Sequence, residues 1–305
     1  MTNRLLATIK RKIVVKIDRL LTHTSAYSDL NEMKKSLKRV IILNYEIMPE
    51  ILPLEERAAK IFTVINSTGQ YKNVPLQISK DDLMFQFWLY HTGTIDAALH
   101  GYFSSGYRQA DTVKVLLNKY FSKTADISLL DFASGHGRVS RYFRDLLPQE
   151  QITIAEIKTG AVEFQKKQFN YKGFVSSANP SDMNCTEQFD FVLCSSLFTH
   201  LDKQLFAQWL QTLGALIKLN GILCISIHHF LPSEENLFNY TTSSEEDIFT
   251  ETSGSLAGKN IYGLTRLSRK AFMELINQWI PFSFKILDET PWESSQTLIS
   301  IGRIS

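Results

Sequence analysis

Cysteine is scarce in this chain, with three residues among 305, namely Cys185, Cys194 and Cys224. Cys194 and Cys224 lie in apolar stretches, and three cysteines are too few for a disulfide framework. No paired Cys/His spacing has the form that zinc requires, so we expect no metal site. The sequence therefore predicts a protein of a reducing compartment.

Long apolar runs are also missing. Near the start of the chain, Lys10, Arg11, Lys12 and Lys16 interrupt every apolar stretch, which argues against a signal peptide and a membrane-spanning helix. Hydrophobic residues make up 44% of the chain and charged residues 21%, as in ordinary globular proteins. We expect a cytoplasmic protein.

The small net charge of +2 is unevenly distributed. Residues 1–40 hold ten Lys/Arg against three Asp/Glu, a net of +7, which leaves −5 for the other residues. Residues 41–305, with this negative net charge, should bind nucleic acid poorly, and we expect no such partner. Within residues 1–21 the apolar residues follow a helical stripe. This stripe either lies on an anionic membrane, as peripheral contact, or packs on the rest of the protein or on a second subunit.

The hydrophobic pattern divides the chain into two parts. Residues 1–123 are predicted to form a mostly helical extension or cap, and residues 124–305 an α/β domain with a mostly parallel sheet. Strands of that sheet are predicted at residues 127–132, 152–157, 173–176, 189–194 and 222–227.

Helices are predicted between these strands. One follows the first strand and ends at Pro148, a second spans Ala161–Phe169, and a longer one carries an apolar stripe from Leu205 to Ile217 and ends near Asn220 and Gly221. Residues 232–260 are rich in Ser, Thr and Glu and predict a loop or lid. Ser268 should cap a helix that runs to Trp279, followed by an antiparallel strand pair at 282–287 and 297–304.

The turn at residues 131–137, which reads Asp-Phe-Ala-Ser-Gly-His-Gly, lies between a strand and a helix. Small residues let the backbone approach a ligand closely. Nineteen residues after Gly137, Glu156 ends the next strand, where a carboxylate can accept hydrogen bonds from both hydroxyls of a ribose. A dinucleotide such as NAD would need the same arrangement. That alternative fits less well, since its third small position falls on Ser140 and Asp131 lies beside the pyrophosphate.

With these features in order, the sequence resembles the class I S-adenosylmethionine-dependent methyltransferases. Residues 131–137 match their first motif except that Ala133 replaces a glycine. The family's further landmarks correspond to Glu156, Ser177-Ala178-Asn179, Phe189–Val192, Leu197–Leu201 and Leu216–Gly221. The resemblance covers about residues 124–304 and implies a doubly wound, mostly parallel seven-stranded sheet, the Rossmann-like methyltransferase core.

The resemblance implies S-adenosylmethionine as the cofactor. It also implies that backbone groups at Ala133–Gly137 hold the methionine part, that Glu156 holds the ribose, and that Ile157 and Ala178 contact the adenine. The complete set of cofactor-binding residues expected in this way is Asp131, Ala133, Ser134, Gly135, His136, Gly137, Glu156, Ile157, Ser177, Ala178 and Ser195. Asp131 suits a ligand that presents an ammonium group.

Methyl transfer needs a general base only if the acceptor holds its proton. His200 and His228 follow strands four and five and are the candidates for that role, with a structural role as the alternative for each. The acceptor cannot be identified from the sequence; the resemblance favours a small molecule or a glycan. A nucleotide-binding oxidoreductase and a non-catalytic module that docks through its basic N-terminal helices are the other functions considered.

Two segments ahead of the α/β domain could contribute to a site. The aromatic stretch Phe85–His91 could line the bottom of an acceptor pocket, although such stretches more often belong to the hydrophobic core. Tyr102, Ser105 and Gly106 could cover the cofactor, with a plain loop as the alternative.

Overall fold

The computed structural model describes residues 54–242, 263–293 and 295–304. The apolar stripe predicted in residues 1–21 lies outside the described residues. Across the described ranges, no helix combines the length and the apolar character needed to cross a bilayer.

Within the described residues, three helices precede the sheet. Helix α1 spans Leu54–Ile65, α2 spans Leu83–Thr92 and α3 spans Ile95–Tyr120. Asp82 caps α2 by accepting hydrogen bonds from the backbone N–H groups of Met84 and Phe85, and Gly93 ends it in the left-handed conformation. The three helices share a small core of their own that includes Phe85, Leu99 and Phe103.

The α/β part contains nine described strands and three further α-helices. In chain order they are β1 Leu129–Phe132, β2 Ile152–Glu156, α4 Thr159–Phe169, β3 Lys172–Val175, β4 Phe189–Cys194, α5 Lys203–Ala215, β5 Ile217–His228, β6 Phe238–Thr242, β7 Gly263–Leu267, α6 Arg269–Trp279, β8 Phe284–Glu293 and β9 Gln296–Arg303.

Seven of these strands form one sheet in the order β3-β2-β1-β4-β5-β9-β8. The first five run parallel, and β9 is antiparallel to both β5 and β8. Strands β2 and β4 flank β1 on opposite sides, so the chain changes direction across the sheet at β1. Ligands of open α/β sheets bind outside the carboxyl ends of the strands at such a point.

The central strands of the sheet are buried on both faces. Along β1, Leu130 and Phe132 belong to the core cluster under α5 and α6, whereas Leu129 belongs to the cluster on the opposite face. Helix α3 reaches that second cluster through Val113 and Leu117. The predicted doubly wound, seven-stranded fold is confirmed, and α3 ties the N-terminal helices to it. The predicted division at residue 123 stays a prediction.

The strands agree with the sequence prediction in position, with boundaries shifted by a few residues. Ser268 caps α6 by accepting from the N–H of Ala271, as predicted, and the final antiparallel pair is also confirmed.

Three elements differ from the prediction. The helix expected after β1 is a six-residue 3-10 helix, Ser140–Asp145. The helix expected to end near Asn220 ends at Ala215, and Asn220 and Gly221 lie at an irregularity within β5, where Asn220 has a φ of 63°. The segment expected to be a loop contains β6, which pairs with β7.

Candidate functional site

The turn after β1 uses its small residues in two different ways. Gly137 has a φ of 80°, and a Cβ built there would lie 2.2 Å from the ring of Phe169. Gly135 has a φ of 58°, but nothing lies within 4 Å of its Cβ position. Gly137 is therefore required by packing, whereas Gly135 leaves open space in which a ligand can approach the backbone.

Glu156 lies at the carboxyl end of β2, next to this turn. Its Oε2 accepts a 2.9 Å hydrogen bond from the N–H of Gly135, and its Oε1 accepts from the N–H groups of Ile157 at 2.9 Å and Lys158 at 3.2 Å. The side chain is 9% exposed. Backbone donors thus hold the carboxylate in one orientation at the sheet edge.

Asp131 occupies a different environment from Glu156. It is buried, and its carboxylate accepts a 2.5 Å hydrogen bond from the hydroxyl of Ser140. Burial raises the pKa of Asp131 to about 7, while the Ser140 hydroxyl opposes that rise. Asp131 does not line either of the two cavities described next, so its predicted contact with an ammonium group stays a prediction.

Two cavities open at this edge of the sheet. The first, of about 550 Å³, has a largely apolar lining formed by Phe132, Ala133, Glu156, Ile157, Ser176, Ser177, Ala178, Leu197, Leu201, Leu205 and Trp209. The second, of about 730 Å³, is lined by Asp82, Leu83, Met84, Ala133, Gly135, His136, Glu156, Ile157, Lys158, Ala161, Ser195, Ser196, Leu197 and His200.

The two cavities share Ala133, Glu156, Ile157 and Leu197. They therefore meet around the Glu156 carboxylate. Eight of the eleven predicted cofactor-binding residues line one cavity or both; they are Ala133, Gly135, His136, Glu156, Ile157, Ser177, Ala178 and Ser195. Asp131, Ser134 and Gly137 do not. Ser134 instead accepts a 2.8 Å hydrogen bond from Gln165 and supports the turn.

Ser195 is held by a residue far away in the sequence. The indole N–H of Trp292 donates a 2.8 Å hydrogen bond to its hydroxyl. The next residue, Ser196, has a φ of 63°, and its backbone N–H donates to Ser226. A serine in the left-handed region is strained, and such strain often marks a functional loop.

His200 and His136 line the second cavity, whereas His228 lines neither. The Nδ1 atom of His200 lies 2.9 Å from the carbonyl oxygen of Gly263. Because a carbonyl only accepts, Nδ1 carries the hydrogen. Burial lowers the pKa of His136, which favours its neutral form.

His228 has the same tautomer, since its Nδ1 lies 3.2 Å from the carbonyl oxygen of Ser295. Its Nε2 is buried and has no hydrogen-bond partner among the described residues. Burial lowers the pKa of His228 as well. His200 is thus the base candidate at the cavity wall, and His228 is the one with an unpartnered Nε2.

Several residues that line the cavities were not predicted from the sequence. Asp82, Leu83 and Met84 come from the start of α2, and Leu201, Leu205 and Trp209 come from α5 and the loop before it. The predicted helical stripe contained Leu205 and Trp209, but only as core. Tyr102, Ser105 and Gly106, expected to cover the cofactor or form a loop, lie buried within α3.

The dinucleotide alternative is disfavoured by the backbone after the turn. A pyrophosphate is bound by the N-terminus of an α-helix that follows directly. Here a short 3-10 helix follows, and the Ser140 hydroxyl at its start donates to Asp131.

Comparison with known families matches residues 130–223 to a family described as a methyltransferase domain. The matched stretch runs from β1 into β5 and contains the turn, Glu156 and the loop after β4. This part of the chain is similar to a methyltransferase domain, which agrees with the resemblance seen in the sequence. No curated protein sequence gives a significant match.

Solved structures with a similar arrangement include an S-adenosylmethionine-dependent methyltransferase from Clostridium acetobutylicum, with 10% identity, a TM-score of 0.46, and coverage of 65% of this chain and 92% of that one. Another is the Burkholderia thailandensis 1,6-didemethyltoxoflavin-N1-methyltransferase, with 12% identity, a TM-score of 0.48, and coverage of 73% and 88%. A third is an amino pentose methyltransferase from Micromonospora echinaspora, with 14% identity, a TM-score of 0.47, and coverage of 68% and 95%.

Proposed function

We propose that the chain is an S-adenosylmethionine-dependent methyltransferase whose acceptor is a small molecule or a glycan. The observation that carries this proposal is the position of the Glu156 carboxylate, fixed by backbone donors where the two cavities meet. The match of residues 130–223 to a methyltransferase domain supports it.

The residues at the two cavities fit this cofactor. Leu201, Leu205 and Trp209 give the first cavity apolar walls suited to an adenine ring. Glu156 would bind the ribose hydroxyls as an acceptor. The open space at Gly135 in the second cavity would admit the methionine part beside backbone groups.

The charges at the second cavity also suit the positively charged groups of S-adenosylmethionine. Among the residues that the structure describes, two carboxylates, Asp82 and Glu156, line it with one ammonium group, that of Lys158. Burial lowers the pKa of Lys158, and burial also keeps His136 towards its neutral form. The balance of charge is negative, which favours a positively charged ligand group.

S-adenosylmethionine, when bound, supplies a methyl group activated by a positively charged sulfur. The protein's part is to align the acceptor with that methyl group and to exclude water from the second cavity. His200 at the cavity wall would accept the acceptor's proton at Nε2, because Nδ1 carries the other hydrogen. His228 is the alternative base, with Ser295 holding its Nδ1.

Methyl transfer is tested with S-adenosylmethionine carrying a tritiated methyl group, incubated with separated metabolite, glycan and protein fractions of a cell extract. The proposal predicts label in the metabolite or glycan fraction, and less label with His200→Ala if His200 is the base. Label found only in the protein fraction would contradict the acceptor class. Label in no fraction, combined with no binding of the cofactor, would contradict the proposed activity.

A further inference from the structure

Arg141 is an arginine with no exposed surface, and it is among the largest fully buried side chains. Its Nε donates a 3.0 Å hydrogen bond to the carbonyl oxygen of Gly137, in the turn after β1. Its Nη1 donates to the carbonyl oxygens of Pro75 at 3.0 Å and Gln77 at 3.2 Å. The guanidinium makes no ion pair with a carboxylate in the described part of the chain.

The Nη2 atom of Arg141 is linked to a carboxylate through one intermediate side chain. Nη2 donates a 3.1 Å hydrogen bond to the hydroxyl of Tyr102, and that hydroxyl donates a 2.5 Å hydrogen bond to Oδ2 of Asp82. Burial raises the pKa of Tyr102 well above its usual value, so the hydroxyl keeps its hydrogen. A hydroxyl can accept from a guanidinium and donate to a carboxylate simultaneously.

The other oxygen of Asp82 fixes the start of α2. Oδ1 accepts from the N–H groups of Met84 at 2.9 Å and Phe85 at 3.2 Å. Asp82, Leu83 and Met84 all line the second cavity. A continuous series of hydrogen bonds therefore runs from the turn after β1 to the wall of the cavity supplied by α2.

We propose that Tyr102 is a positioning residue, which joins Arg141 to Asp82 and thereby makes the start of α2 part of the cofactor site. This inference rests on the proposed function. It adds that residues ahead of the region matched to a methyltransferase domain complete the binding site of that region. Tyr102 acts through Asp82, because it does not itself line either cavity.

The physical reason is the cost of leaving buried polar groups without partners. Loss of the Tyr102 hydroxyl removes an acceptor from a buried guanidinium and a donor from a carboxylate that is 2% exposed. Asp82 then has fewer constraints on its orientation, and the first turn of α2 loses its fixed position at the cavity.

The test is titration calorimetry with S-adenosylhomocysteine on the full chain and on Tyr102→Phe. The matched control is Tyr142→Phe, which also removes one buried tyrosine hydroxyl, here one that donates a 2.8 Å hydrogen bond to the carbonyl oxygen of Phe103. We expect Tyr102→Phe to weaken binding about five- to twentyfold and Tyr142→Phe to leave it within about twofold, although both variants lose stability.

A double variant tests whether Tyr102 affects binding through Asp82. Asp82→Asn should weaken binding, and adding Tyr102→Phe to Asp82→Asn should weaken it by less than the product of the two separate effects. Hydrogen exchange without ligand gives an independent measurement, in which the Met84 and Phe85 amides exchange faster in Tyr102→Phe than in Tyr142→Phe.

If Tyr102→Phe binds S-adenosylhomocysteine as tightly as the wild-type chain does, the inference is overturned and the proposed function remains intact. Additive effects in the double variant would also overturn it. No binding of S-adenosylhomocysteine to the wild-type chain would instead refute the proposed function.

Discussion

The backbone N–H of Gly135 donates a 2.9 Å hydrogen bond to the carboxylate of Glu156, which joins the turn after β1 to the end of β2. One carboxylate oxygen thus supports the turn, while the other accepts from the N–H groups of Ile157 and Lys158. Glu156 therefore has a structural role in addition to its proposed role as a ribose acceptor.

These two roles are separated by two substitutions at the same position. Glu156→Ala removes every acceptor, so it should weaken S-adenosylhomocysteine binding by about 1–3 kcal/mol and also lower the melting temperature. Glu156→Gln keeps an oxygen for the Gly135 N–H, so it should retain more stability while still weakening binding. Calorimetry and thermal unfolding measure both. Unchanged binding in both variants would leave Glu156 with the structural role alone.

The two glycines of the turn give a second prediction. Gly137→Ala places a methyl group against Phe169 at a φ of 80° and should cost about 2–4 kcal/mol of unfolding free energy. Gly135→Ala, with open space at its Cβ position, should cost about 1 kcal/mol and mainly weaken cofactor binding. Urea unfolding and calorimetry measure these effects, and equal stability losses in the two variants would contradict the assignment.

Asp131 gives a prediction for pH. Burial raises its pKa in the folded protein from 3.8 to about 7. The folded state thus binds this proton more tightly than the unfolded state, and the resulting stabilisation is complete below about pH 4 and lost as the pH rises through 7.

Asp131→Asn removes this dependence and keeps an oxygen for the Ser140 hydroxyl. The melting temperature of Asp131→Asn relative to wild type should therefore increase between pH 5 and pH 8.5. Thermal unfolding across that range checks the sign. A difference that is constant or falls with pH would show that Asp131 is not protonated in the folded protein near neutrality.

The apolar stripe predicted in residues 1–21, and the basic residues beside it, are tested separately. If it lies on membranes, the full chain should pellet with anionic vesicles at low salt and less at high salt, because each Lys/Arg near the surface contributes on the order of 1 kcal/mol. A chain that begins at residue 22 is the control and should stay in the supernatant. Equal behaviour of the two chains would favour packing of the stripe on protein.

The sequence predicted those features that depend on local pattern. Alternating apolar strands and amphipathic helices defined the sheet, and the spacing after Gly137 predicted Glu156 as a site residue, which the structure places where the two cavities meet. The cap at Ser268 was also visible, because a capping serine acts on residues within one turn of itself.

The missed features depend on contacts between distant residues. Strand β6 is largely exposed and polar, so only its pairing with β7 defines it. The start of α2 lines the second cavity because Asp82 is held by Tyr102, twenty residues later in the chain. Trp292 holds Ser195 across 97 residues. The pattern of residues within a short stretch of sequence does not reveal such long-range contacts.

Titration calorimetry of the wild-type chain with S-adenosylhomocysteine and with NAD, side by side under the same conditions, tests the assignment of the site to S-adenosylmethionine. We expect saturable binding of S-adenosylhomocysteine that Glu156→Ala weakens, and no comparable binding of NAD. Binding of NAD without binding of S-adenosylhomocysteine would contradict this assignment.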